Sequence, residues 1–297
     1  MKILLRIILG IVIVGMTLWG VGLFYLSPLL PEGWRAFGAG GYAVLTMLAF
    51  FLLPRRGRTA LAATAVFAML VFLFFRIPAS NNRDWQPDVA QTPYATINGD
   101  LITIHNVRNF DYRSDADFDP RWENRTYNLS KLDSAEIIAV YWAGKAIAHV
   151  MVSFGFEGKD YLTVSIETRK ENGESYSTLA GFFRQNLRRI FLDYIKSMND
   201  LRERPSYYNT LTTNCTTTIL MHTRMNPESP PMSWKVLLSG YVPDYLYDLG
   251  RLDTSRPFAE LEKMSRVNDR AHGADKDAAF SQRIREGLPI PAPLAQP

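Results

Sequence analysis

The chain has 297 residues, with 33 Lys and Arg against 29 Asp and Glu and a formal net charge of +4. That near balance, with no dense basic run interleaved with aromatics on a soluble stretch, argues against a nucleic-acid partner. The single cysteine, Cys215, excludes an intrachain disulfide and a thiolate-rich zinc centre.

The chain opens with apolar runs. Ile7 to Leu26 carries no charge and is long enough to cross a hydrocarbon core about 30 Å thick. Ala36 to Leu53 and Thr59 to Phe75 are two further uncharged runs, near the lower length limit for a span. Gly38, Gly40, Gly41, Ala60, Ala62 and Ala63 permit close helix contacts. A cleaved signal peptide is disfavoured, because the first run is too long and no small-x-small cleavage site follows it. Lys2 and Arg6 precede the first run, and Arg55, Arg56 and Arg58 fill the second loop. Positive charge marks the cytoplasmic side, so everything after Arg76 is expected outside the cytoplasm. The bilayer itself is thus an expected partner, and the expected location is the outer face of a bacterial inner membrane, with several spans.

A polar stretch follows, from Pro78 to Pro93, and then the pattern turns to strands. Tyr94 to Ile97 and Leu101 to His105 flank Asn98-Gly99-Asp100, a strong hairpin signal. Asp111 to Asn128 is polar and aromatic and reads as an ordered loop. Ile137 to Trp142 and Ala146 to Phe156 read as buried strands. In Tyr161 to Arg169, Leu162, Val164 and Ile166 alternate with polar residues, the period of a half-buried strand.

From about Leu179 the apolar residues fall at helical spacing, through Met198. A second helix is expected from Cys215 to about Asn226. Further helices are expected within Ser233 to Leu249 and Pro257 to Ile284, and Gly287 to Pro297 reads as a disordered tail. The fold class is α+β.

Cys215 stands where a polar loop, Tyr208-Asn209-Thr210-Leu211-Thr212-Thr213-Asn214, meets an apolar helix. A thiol at a helix head faces unpaired N–H groups and the positive end of the dipole, which favour the nucleophilic thiolate. The competing reading is a small buried hydrophobe. A cysteine nucleophile needs a base, usually His. His222 lies about 10 Å along the same helix, too far for a direct pair. His272 falls in a polar region near the tail, and His105 ends the first hairpin. His149 interrupts an apolar strand, where a polar side chain needs a partner. It is a candidate base, weighed against a satisfied core histidine. Glu167 and Arg169 lie on the polar side of the neighbouring strand, where a surface ion pair is the plain alternative. No metal-ligand spacing, phosphate loop or serine elbow occurs, so no cofactor and no metal are expected.

Four ordered motifs carry a resemblance: Asn106 to Tyr112, His149 to Phe156, Ser165 to Arg169, and Tyr208-Asn209 with Asn214 to Thr217. Together they resemble the Lnb N-terminal periplasmic domain family, named for a lipoprotein intramolecular transacylase, over about Tyr94 to Arg224. The resemblance implies an extracytoplasmic antiparallel sheet packed with helices, similar to permuted NlpC-type papain-like enzymes. It implies Cys215 as nucleophile and His149 as base, with Glu167, Arg169, Asn214 and Tyr208 in supporting positions. It implies thiol acyl transfer with a lipoprotein or lipid acyl substrate. The stretch from Lys170 to Asn186 is shorter than the family pattern, which leaves the third catalytic group open. A cysteine amidase or peptidase acting on cell-wall peptide, and a non-catalytic membrane-anchored binding domain, remain as alternatives. The organisation expected is a membrane domain over 1–76, a linker over 77–93, a catalytic domain over 94–250, and a C-terminal helix with a Pro-rich tail over 251–297.

Overall fold

The computed structural model of the chain describes residues 2–78, 80–114, 117–167, 169–172, 199–200, 202–203, 213–223 and 229–288. The helix expected from Leu179, the loop residue Tyr208 and the Pro-rich tail beyond residue 288 lie outside the described residues, as does the side chain of His222.

The chain divides into two compact units, with the boundary after Ser80. The first holds three helices, α1 (Lys2–Leu26), α2 (Glu32–Leu52) and α3 (Arg56–Phe75). Each is long and apolar enough to cross a membrane. Ile13, Phe50 and Ala60 form one buried cluster between them, and Leu23 with Phe74 forms another. Small residues let the helices close. A Cβ on Gly20 would lie 2.3 Å from the Tyr42 ring. Large apolar side chains on the outer surface stay exposed, among them Leu18, Phe37 and Leu61. Such a surface is costly in water and at home in lipid tails.

The second unit is built on β-structure. Strands β1 (Tyr94–Asn98) and β2 (Leu101–Arg108) form the hairpin expected at Asn98-Gly99, with Asn98 opposite Leu101 and Gly99 at φ +59°. Only glycine takes that backbone region without a steric cost. The stretch read as a loop after Asp111 is instead largely strand. It contains β3 (Asp111–Tyr112), β4 (Phe118–Asp119) and β5 (Trp122–Asn128). β5 pairs antiparallel with β2 and completes a three-stranded sheet. Of its residues only Tyr127 is buried, so β5 lacks the apolar alternation that marks a strand from sequence.

A second three-stranded antiparallel sheet follows, of β6 (Leu132–Ala143), β7 (Ile147–Phe156) and β8 (Asp160–Val164) in that order. β6 extends further than the apolar core of its sequence, and β8 stops short of Arg169. Ile102, Ile104 and Tyr127 of the first sheet pack on Val152, Phe156 and Leu162 of the second and on Ile166 just beyond it. Full burial of a side chain such as Ile102 stabilises by roughly 1.5–3 kcal/mol.

Helix α4 (Cys215–Thr223) packs Ile219 against both this core and a neighbouring cluster of Ala148, Val150 and Val242. The single helix expected from Ser233 is interrupted. Helices α5 (Trp234–Leu237) and α6 (Val242–Asp248) flank a tight turn at Ser239–Tyr241. There Gly240 touches the β6–β7 turn so closely that a Cβ would fall 2.0 Å from the Lys145 carbonyl oxygen.

Two flanking stretches pack with the second unit. From Asn81 onward the segment read as a linker belongs to the second unit. Trp85 bridges to Glu171, and Gln86 N–H donates to the Lys170 carbonyl at 2.8 Å. The C-terminal stretch is three short helices, α7 (Phe258–Met264), α8 (Asn268–Gly273) and α9 (Phe280–Arg283), and it belongs with the sheet. Arg285 donates to both Glu136 carboxylate oxygens at 2.8 Å and to Ser153 Oγ at 3.0 Å. Its guanidinium also stacks 3.7 Å from the Tyr161 ring centre. Backbone pairing and a charged anchor, neither visible in local composition, draw both flanks in.

Candidate active site

His149 lies on β7, where alternate side chains point to opposite faces. Ala148, Val150 and Val152 face the buried side, with Ile219 of α4 among their neighbours. His149 therefore projects from the other face, half-buried. β8 continues the alternation past its last ladder pair. Leu162, Val164 and Ile166 turn inward, so Ser165 and Glu167 turn out beside His149.

The three form a chain. His149 Nε2 is 2.7 Å from Ser165 Oγ, and Ser165 Oγ donates to Glu167 Oε1 at 2.6 Å. The imidazole and the carboxylate are 4.0 Å apart at Nε2 and Oε1. Arg108, at the end of β2, closes the chain with two hydrogen bonds to Glu167, at 3.0 Å and 3.3 Å. It also donates to the Asp88 carbonyl at 3.1 Å. Burial pushes the Glu167 carboxyl up. The Arg108 charge, the hydrogen bonds from Ser165 and Arg108, and the nearby His149 outweigh it and hold it below the usual carboxylate range.

Cys215 is the first residue of α4 and is half-buried. Asn214 caps the helix. Its Oδ1 accepts from the N–H groups of Thr216 and Thr217 at 3.0 Å and 2.9 Å. Thr217 Oγ1 in return accepts from the Asn214 N–H at 2.9 Å. This is the reciprocal form of a capping box, with Thr where Glu or Gln is usual. Asn214, Thr216, Thr217 and Thr218 are all buried, and Thr216 Oγ1 also donates to the Val236 carbonyl. The helix head is thereby fixed, one turn before Ile219. His149 Nε2 is bonded to Ser165 Oγ.

Arg169 goes elsewhere. It is buried, stacked 4.3 Å over the Trp85 ring, and donates to the carbonyls of Val89 and Ala90 at 2.9 Å. Asn81 Oδ1 and Thr92 Oγ1 take its remaining bonds, at 3.2 Å and 3.0 Å. Burial lowers its pKa to about 10, which leaves it charged at neutral pH. Its place is a clamp on 81–92, while Glu167 sits in the histidine network. Tyr208 lies outside the described residues. Sequence reasoning assigned no role to Ser165 or Arg108. The available signal was the spacing of Ser165 and Glu167 two apart on a strand beside His149. Among the described residues no group of three or more His, Cys, Asp or Glu side chains gathers to hold a metal ion.

The helices and sheets define a membrane-anchored α+β protein with a capped cysteine at a helix head and a histidine–carboxylate network on its sheet. The model of the Lnb N-terminal periplasmic domain family matches this chain over residues 118–193 and 185–240. The match starts later and ends later than the motif resemblance. It contains His149, Ser165, Glu167 and Cys215, and leaves Arg108 outside. The protein thus anchors a periplasmic domain to a membrane. No curated protein and no solved structure matches the chain.

Proposed function

We propose that this protein is a thiol acyltransferase of the bacterial cell envelope, acting on lipoproteins, with three spans in the inner membrane and its catalytic domain outside the cytoplasm. The observation that carries the reading is the setting of Cys215: half-buried, at the head of an Asn214-capped helix, inside the family segment. The Cys215 thiolate attacks the carbonyl carbon of an ester-linked acyl chain on the donor. A tetrahedral oxyanion forms beside the N–H groups at the head of α4 and collapses to a thioester. The alkoxide leaves as the alcohol, taking the proton that the Cys215 thiol had given to His149. An amine then attacks the thioester carbonyl, the Cys215 thiolate leaves, and the amine's surplus proton passes to a base. Both donor and acceptor of a lipoprotein lie at the membrane surface, where a tethered domain meets them.

His149 is the base in this reading. It projects from the face of β7 opposite to the one that receives Ile219. Catalytic hydrogen bonds often tighten only in the substrate complex.

The test is mass spectrometry of the full-length protein incubated with a diacylated lipoprotein. The expected result is an acyl adduct on Cys215 in the wild type, none in Cys215→Ala, and at least a hundredfold slower formation in His149→Ala. No adduct and no change in the lipoprotein's acylation overturns the acyl-transfer reading. An adduct that forms equally fast in His149→Ala removes His149 from the chemistry and leaves Cys215 as nucleophile.

A further inference from the structure

The hydrogen-bond chain that ends on His149 has a direction. Glu167 is held by two guanidinium hydrogen bonds from Arg108, at 3.0 Å and 3.3 Å, the arrangement of an ionised carboxylate. An ionised carboxylate only accepts. The Ser165 hydroxyl has one proton, and at 2.6 Å from Glu167 Oε1 that proton goes to the carboxylate. Ser165 Oγ is then left to accept from His149 Nε2, 2.7 Å away. The neutral imidazole must carry its proton on Nε2, and Nδ1 carries the lone pair. Ser165 is not an activated nucleophile, because its proton is directed away from the imidazole.

We infer that Ser165, Glu167 and Arg108 are positioning residues that hold His149 as the Nε2–H tautomer and leave Nδ1 as its basic nitrogen. The inference deepens the acyltransferase reading and relies on it for the use made of Nδ1. The tautomer itself does not depend on that reading. The relay supplies the third group that the sequence left open, and it draws on both sheets, since Arg108 ends β2 and Glu167 follows β8. Glu167 Oε1 lies 4.0 Å from His149 Nε2. The same carboxylate therefore selects the tautomer of the resting base through Ser165.

The experiment is two-bond proton–nitrogen NMR of the full-length protein in detergent, with histidine labelled in both ring nitrogens, at about pH 8, above the usual imidazole range. His149→Gln identifies the resonances. The expected result is the Nε2–H pattern for His149 in the wild type, a tautomer mixture in Ser165→Ala, and return to Nε2–H in Ser165→Thr. The acyl-adduct rate is expected to fall about tenfold or more in Ser165→Ala and to recover in Ser165→Thr. A wild-type His149 in the Nδ1–H form overturns the relay, whether or not the alanine variant folds. So does a Ser165→Ala protein whose His149 keeps the Nε2–H pattern. A wild type that shows the Nε2–H tautomer yet never acylates Cys215 sinks the acyl-transfer reading and leaves the relay standing.

Discussion

Arg108 at the end of β2 and Glu167 just beyond β8 close a two-bond ion pair that ties the first sheet to the second. The pair is about one-third exposed on each side, so its contribution to stability is that of a partly screened pair, about 1 kcal/mol. Lysine offers a point charge in place of a planar fork and cannot make both bonds. Arg108→Lys is therefore expected to lose about 1 kcal/mol by chemical denaturation. Acyl-adduct formation on Cys215, measured on the same preparation, is expected to slow by more than that loss of stability accounts for.

The Glu167 carboxyl gives the protein a defined acid sensitivity. Its folded pKa lies below the ordinary value, because Arg108 and the Ser165 hydrogen bond outweigh burial. A group of this sign contributes stability that is fully present above the unfolded pKa and is lost as pH falls through the folded one. The contribution should thus fade below about pH 4.3. Exposed paired carboxylates such as Asp117 and Glu157 fade in the same window, so the readout is a difference. Denaturation midpoints of wild type and Glu167→Gln, measured from neutral pH to about pH 3, are expected to converge as pH falls. Parallel curves would assign the low pKa no role in stability.

What the sequence showed and what it hid follow one physical rule. Features set by neighbours in the chain were legible: the three apolar runs, the Asn98-Gly99 turn, the period-two strands, and the Asn214-Cys215 helix start. Features set by distant partners were not. β5 lacks apolar alternation and is a strand because β2 supplies its hydrogen bonds. Glu167 and Arg169 look alike in sequence, two residues apart on one strand. The ladder ends at Val164, and the chain then sends Arg169 to Trp85 and the carbonyls of Val89 and Ala90. Arg285 belongs with the sheet because Glu136, Ser153 and Tyr161, far back in the chain, hold it there. The relay was half visible, since the His149, Ser165 and Glu167 spacing is local to two adjacent strands while Arg108 arrives from the other sheet.

Arg169 makes a separate prediction. Its guanidinium spends its donors on 81–92, the first stretch of the second unit. Arg169→Met keeps the apolar packing on Trp85 but leaves the Val89 and Ala90 carbonyls without this donor. The expected cost is about 2–4 kcal/mol. Hydrogen exchange and limited proteolysis are expected to report faster opening at 81–92, with the His149 tautomer unchanged. A shift in that tautomer would place Arg169 in the histidine network after all.

The head of α4 can be tested without knowing the substrate. Asn214 Oδ1 accepts two helix N–H groups, and removing such a cap costs about 1 kcal/mol. Asn214→Ala is expected to lose that amount and to fray the turn that carries Cys215. Asn214→Asp is the sharper variant. Aspartate caps as well as asparagine, so stability should be kept. Its negative charge stands next to Cys215 and disfavours the thiolate. The rate of Cys215 alkylation by iodoacetamide at neutral pH is expected to fall several-fold in Asn214→Asp, with the denaturation midpoint unchanged. Equal rates in wild type and Asn214→Asp would mean that the helix head does not tune the thiol. The argument for Cys215 as nucleophile would then rest on the family match alone.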